Sequence, residues 1–103
     1  MSFVIDTSDI HLSSSYPAGT PFAFDFEVHY SGSTNTTGHT DHVEISDHQN
    51  AKVVDDQISA PPLSPGQDYQ SVVQVPALTA GTYDVAVTVA GGAASNGATI
   101  HVQ

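Results

Sequence analysis

Apolar and polar positions alternate strictly through much of this chain. Tyr69, Ser71, Val73 and Val75 alternate along one run, and Tyr83, Val85, Val87 and Val89 along a second. Phe22, Phe24, Phe26, Val28 and Tyr30 do the same, with Ala23, Asp25, Glu27 and His29 between them. Successive side chains of a strand point to opposite faces, so each run predicts a half-buried strand. The three Phe make residues 21–30 the largest apolar contribution, each ring worth about 1.5–3 kcal/mol when fully buried. No segment repeats with helical period.

The remaining elements are shorter or less regular. Residues 3–12, FVIDTSDIHL, read as a broken edge strand, and SSSYPAGT at 13–20 as a turn. SGSTNTTGH at 31–39 is a polar loop without an anchor residue. A strand over 40–46 turns Val43 and Ile45 inward and His42 and Glu44 outward, and DHQN at 47–50 reverses the chain. A weaker strand follows over 51–59, whose adjacent Val53 and Val54 leave its register open. APPLSPGQ at 60–67 is loop, with Leu63 plugging the end of the core. AGGAASNG at 90–97 is a hairpin loop in which Asn96-Gly97 supplies positive φ. The last strand, 98–103, turns Ala98, Ile100 and Val102 inward.

Segment 76–81 is too short for a crossover helix and too long for a two-residue hairpin. With the spacing Leu78-x-x-Gly81-x-Tyr83 it predicts a corner where the chain changes sheets. A Tyr opening the next strand closes such a corner when its hydroxyl bonds back to nearby backbone. About seven strands at regular spacing predict one all-β domain, an immunoglobulin-like Greek-key β-sandwich.

Leu63-x-Pro65-Gly66, a strand, then Leu78-x-x-Gly81-x-Tyr83-x-Val85-x-Val87 resembles the bacterial cell-adhesion-related, CARDB-like immunoglobulin-like domains. The likeness covers the C-terminal half and, loosely, the Phe strand. Those domains carry Asn-x-Gly after the second strand, where this chain has Tyr30-Ser31-Gly32. They also often carry an acidic, Asn-rich segment after the Tyr strand, where this chain has Gly91-Gly92-Ala93-Ala94. The resemblance implies a passive binding or spacer role without catalytic residues.

Charge narrows the partners. Eleven carboxylates face one Lys and no Arg, a formal charge of −10 with neutral His. Such a surface repels phosphate backbones and anionic headgroups, so neither nucleic-acid nor membrane-surface binding is expected, and with no long apolar run membrane insertion is not expected either. It suits a basic protein partner, divalent cations or a saline medium, and keeps a sheet protein soluble. No Cys is present, so disulfides, thiolate metal sites and cysteine nucleophiles are excluded. No apolar run approaches the roughly 20 residues of a membrane helix. MSFVIDTSDI lacks the charged and apolar regions of a secretory signal. Two origins fit: a domain of a bacterial surface or secreted protein, or a particle component that leaves the cell without such a signal.

Three motifs invite chemistry. His39–Glu44, HTDHVE, has the look of a metal-binding run, but His39 and His42 differ by an odd number and face apart on a strand. His29 is expected on the opposite sheet from that run. The pairs Asp25/Glu27 and Asp55/Asp56 lack the enclosed cleft of a glycosidase pair and read as solvated charge. Asp55/Asp56 also lack a calcium-loop pattern. No Gly-x-Ser-x-Gly elbow occurs, and Asn35-Thr36-Thr37 has the form of a glycosylation acceptor. No catalytic residue, metal or cofactor is expected.

Loops carry function more often than cores. Loops 31–39, 60–67 and 90–97 are expected at one end of the sandwich, presenting Asn35, Thr37, His39, Ser64, Gln67, Ser95 and Asn96 to a protein partner through weak, multivalent contacts. A second candidate surface is the outer face with rows Glu44–Ala86–His101 and His42–Thr88–Thr99, where Glu44 and His101 would meet over Ala86. The function expected is an extracellular or cell-surface interaction or spacer module. The alternative is a virion accessory subunit, such as a decoration or tail protein.

Overall fold

A computed structural model describes residues 3–103 as two β-sheets packed face to face. Among the described residues there are nine strands: β1 Phe3–Val4, β2 Ile10–His11, β3 Ser15–Tyr16, β4 Phe22–Tyr30, β5 His39–Asp47, β6 Lys52–Ala60, β7 Asp68–Val75, β8 Gly81–Val89 and β9 Ala94–Val102. One sheet joins β1, β2, β4 and β7; the other has the order β3-β9-β8-β5-β6. β7 pairs with β4 from Phe22 to His29, while β1 and β2 share the other side of β4 at separate positions.

The count of nine corrects the expected seven, and the difference lies in the first twenty residues. Segment 3–12 breaks because Thr7–Asp9 form a 3-10 turn, closed by Asp6 N–H to Asp9 Oδ2 at 2.9 Å and Asp9 N–H to Asp6 O at 3.0 Å. The stretch expected as a plain turn then crosses to the other sheet, where β3 pairs in parallel with β9. Tyr16, within the segment expected as a turn, stacks on Phe22 with ring centroids 3.8 Å apart.

The core follows the predicted parities. Phe26, Val28, Val43, Ile45, Val87, Val89 and Ile100 are fully enclosed between the sheets. β6 settles its register with Val54 inward opposite Ile45 and Val53 on the surface. Leu63 plugs one end of the core and Leu78 lies at the other. Tyr83 is 4% exposed, and its hydroxyl donates to the Thr79 carbonyl at 2.8 Å, within the segment predicted for the corner.

The turn between β8 and β9 departs from expectation. It spans residues 90–93, with Ala90, Gly91 and Gly92 all at positive φ. Asn96 and Gly97 lie inside β9. Gly97 passes so close to β8 that a Cβ there would stand 2.6 Å from the Val85 carbonyl oxygen. Asn96 instead ties β9 to the N-terminal segment, its Nδ2 donating to Ile5 O at 3.2 Å and its Oδ1 accepting from Thr7 Oγ1 at 3.0 Å. The earlier turn shifts the β8–β9 register, so that Ala86 faces Gly97 and Thr88 faces Ser95.

Candidate interaction surfaces

Three loops, 31–38, 61–67 and 90–93, lie at one end of the two sheets, the last of them held by a buried carboxylate. Asp41 shares the parity of Val43 and Ile45 and is 0% exposed. Its Oδ2 accepts the Tyr69 hydroxyl at 2.5 Å, across from the other sheet. Its Oδ1 accepts the Ala90 N–H at 3.1 Å, which fixes the start of the β8–β9 turn. A carboxylate only accepts, so Tyr69 donates to it and is left to accept from His39 Nε2, 2.9 Å away. Burial, reinforced by the bond to Asp41, raises the Tyr69 pKa far above its ordinary value. His39 is mostly enclosed, edge-on to Phe3, and its Nδ1 has no hydrogen-bond partner among the described residues. Removing a group from water without a partner costs about 1–3 kcal/mol, which is why this carboxylate collects donors from two elements.

The other two loops are clamped to each other. Thr36 N–H donates to Leu63 O at 2.8 Å, and Leu63 N–H donates to Thr36 Oγ1 at 2.9 Å. Thr36 is thus the anchor of a loop expected to have none. Gly66 N–H reaches Tyr30 O and Tyr30 N–H reaches Gln67 O, both at 3.1 Å. Within 61–67 the Gln67 side-chain oxygen accepts the Ser64 N–H at 3.0 Å. Asn35, Thr37, Ser64 and Gln67 stand exposed on this end, His39 is turned inward, and Ser95 and Asn96 lie in β9 rather than in a loop.

The outer face of the five-stranded sheet keeps half of its expected layout. Glu44 faces Ala86 and His42 faces Thr88, as the parity of β5 and β8 requires. His101 does not come near Glu44: the shifted register sets it opposite Thr82, whose hydroxyl is 3.2 Å from His101 Nδ1. Glu44 is engaged by Lys52 Nζ at 2.8 Å and His42 Nδ1 at 3.2 Å, and His42 Nε2 bonds to Asp55. The hydrogen bond from His42 holds the Asp55 carboxyl below its ordinary value, and the bond to Glu44 raises Lys52. His42 and His39 project from opposite faces of β5, so HTDHVE forms no joint metal site.

No protein-family model matches the chain, and no curated protein matches it in sequence. Solved structures do. A mutant β-glucosidase from Listeria innocua in complex with laminaribiose superposes with a TM-score of 0.70 at 11% identity, over 98% of this chain and 16% of that one. The same enzyme in complex with gluconolactone gives 0.68, at 11% identity over 97% and 16%. The likeness is one of fold. This chain spans 16% of the length of those β-glucosidase chains.

Proposed function

We propose that this chain is a non-catalytic, immunoglobulin-like Greek-key module that spaces and presents an interaction surface in a bacterial surface or secreted protein. The observation that carries this reading is the placement of its ends. Phe3 pairs with Tyr30 at the loop end, whereas Val102 pairs with Gly81 at the corner end of a body 44 × 21 × 18 Å. A polypeptide entering at one pole leaves at the other, so each copy lengthens a chain. Recurrence of the fold as 16% of a longer chain supports a part within an assembly, as does the likeness to CARDB-like domains. The groups with catalytic potential at the loop end, His39, Asp41 and Tyr69, are spent on one another and on Ala90. The exposed polar residues Asn35, Thr37, Ser64 and Gln67 sit on backbone fixed by the Thr36–Leu63 clamp and by the bonds of Tyr30 to Gly66 and Gln67, and form the partner surface.

A directly linked two-copy fusion tests the spacer role by small-angle scattering. End-to-end stacking lengthens the particle by nearly the long dimension of one domain; side-by-side folding of the copies would contradict it. Hydrolysis of an aryl β-glucoside by the purified chain would overturn the non-catalytic part.

A further inference from the structure

The outer face of the four-stranded sheet gathers metal-ligating groups from three elements. Glu27 and His29, two residues apart on β4, project from the same side. Asp9 ends the 3-10 turn, and Asp68 opens β7 directly opposite His29. One ligand atom from each of Asp9, Glu27 and His29 lies within 4.8 Å of the other two. Asp9 is mostly enclosed, and its Oδ2 is held by the Asp6 N–H, which turns Oδ1 toward His29 Nε2 at 3.2 Å. The pair is hydrogen-bonded at that distance, and a metal with bonds of about 2.0–2.1 Å at tetrahedral angles sets its ligand atoms about 3.3 Å apart, so an ion that replaces the shared proton requires little movement of the two side chains.

The far side of the imidazole is also prepared. Asp68, outside the three ligands, places Oδ1 at 3.0 Å from His29 Nδ1. A metal-bound histidine characteristically gives its other N–H to a carboxylate, which fixes the tautomer and aims the free lone pair. The one Lys or Arg of the chain, Lys52, is committed to Glu44 on the other sheet and cannot neutralise this face. One imidazole nitrogen with two carboxylates suits zinc or nickel, whereas calcium and magnesium take oxygen ligands.

We propose that Asp9, Glu27 and His29 bind a divalent transition-metal ion, Zn²⁺ in the simplest case, with Asp68 orienting the imidazole. The ion would pin the 3-10 turn to β4 and leave a coordination position open. Binding only to the folded chain, it raises thermal stability by mass action.

The test titrates Zn²⁺ into the full chain, read by calorimetry and by the histidine side-chain NMR resonances. One equivalent is expected to saturate, moving the His29 resonances and raising the melting temperature. His29→Gln and Glu27→Gln should abolish or severely weaken this binding. Asp68→Asn should weaken it by about 10- to 100-fold, and His42→Gln should leave it unchanged. Glu27→Gln, a neutral near-isostere on the sheet surface, carries the test if His29→Gln does not fold. Absence of saturable binding, persistence of wild-type affinity in both His29→Gln and Glu27→Gln, or its loss in His42→Gln would overturn the proposal. Displacement of Zn²⁺ by a modest excess of Mg²⁺ would overturn the nitrogen ligand.

Discussion

Both poles of the sandwich are closed by a tyrosine hydroxyl, in different ways. At the corner, Tyr83 bonds a neutral carbonyl four residues upstream in its own connection. At the loop end, Tyr69 bonds Asp41, a carboxylate buried on the facing sheet, which also holds the Ala90 N–H of a third element. The first is a local clasp; the second ties together both sheets and a turn. A neutral bond exchanges with water at nearly equal energy, whereas a buried carboxylate stripped of a donor has nothing to replace it. The loop end should therefore be the more fragile pole under substitution.

The largest effect is expected for Asp41→Ala, which takes the acceptor from the Tyr69 O–H and from the Ala90 N–H. At about 1–3 kcal/mol for each stranded group, the urea midpoint should fall by the equivalent of roughly 2–6 kcal/mol. Tyr69→Phe removes one donor from the carboxylate and should cost about 1.5–3 kcal/mol by the same measurement. Tyr83→Phe should cost only about 0.5–1.5 kcal/mol. If Tyr83→Phe proved the more damaging of the two, the contrast between the poles would be wrong.

The smallest effect is electrostatic and lies on the exposed sheet. His11 Nδ1 sits 2.7 Å from Asp25 Oδ2, and that hydrogen bond raises the His11 pKa above 6.5. A raised histidine value means the pair stabilises the fold fully below the unfolded value and loses that contribution as pH rises through the folded one. An NMR titration of His11 should give a midpoint above 6.5 in the wild type and a lower one in Asp25→Asn.

Parity made the fold legible. The Phe strand, the two Val strands and the Tyr83 corner all stand where alternation sets them, because a sheet with one buried face cannot slip by one residue. The same parity carried Asp41, which lies two positions before Val43. A charged residue on an inward parity is the mark of a buried network. The hairpin was misplaced for the opposite reason. Asn96-Gly97 has favoured turn chemistry, but Asn96 serves the N-terminal segment and Gly97 serves a close strand approach. Ala90-Gly91-Gly92 makes the turn, and His101 moves to Thr82 with it. The gathering of Asp9, Glu27 and His29 depends on the 3-10 turn folding back onto β4, a long-range placement that no local pattern encodes.

A double-mutant cycle between Asp41 and Tyr69 tests the loop-end network most directly. Asp41→Asn, Tyr69→Phe and their combination are compared by urea unfolding. The two changes should be strongly non-additive, with a coupling of about 1 kcal/mol or more, as residues in one buried network show. Additivity within about 0.3–0.5 kcal/mol, as for independent sites, would contradict the account.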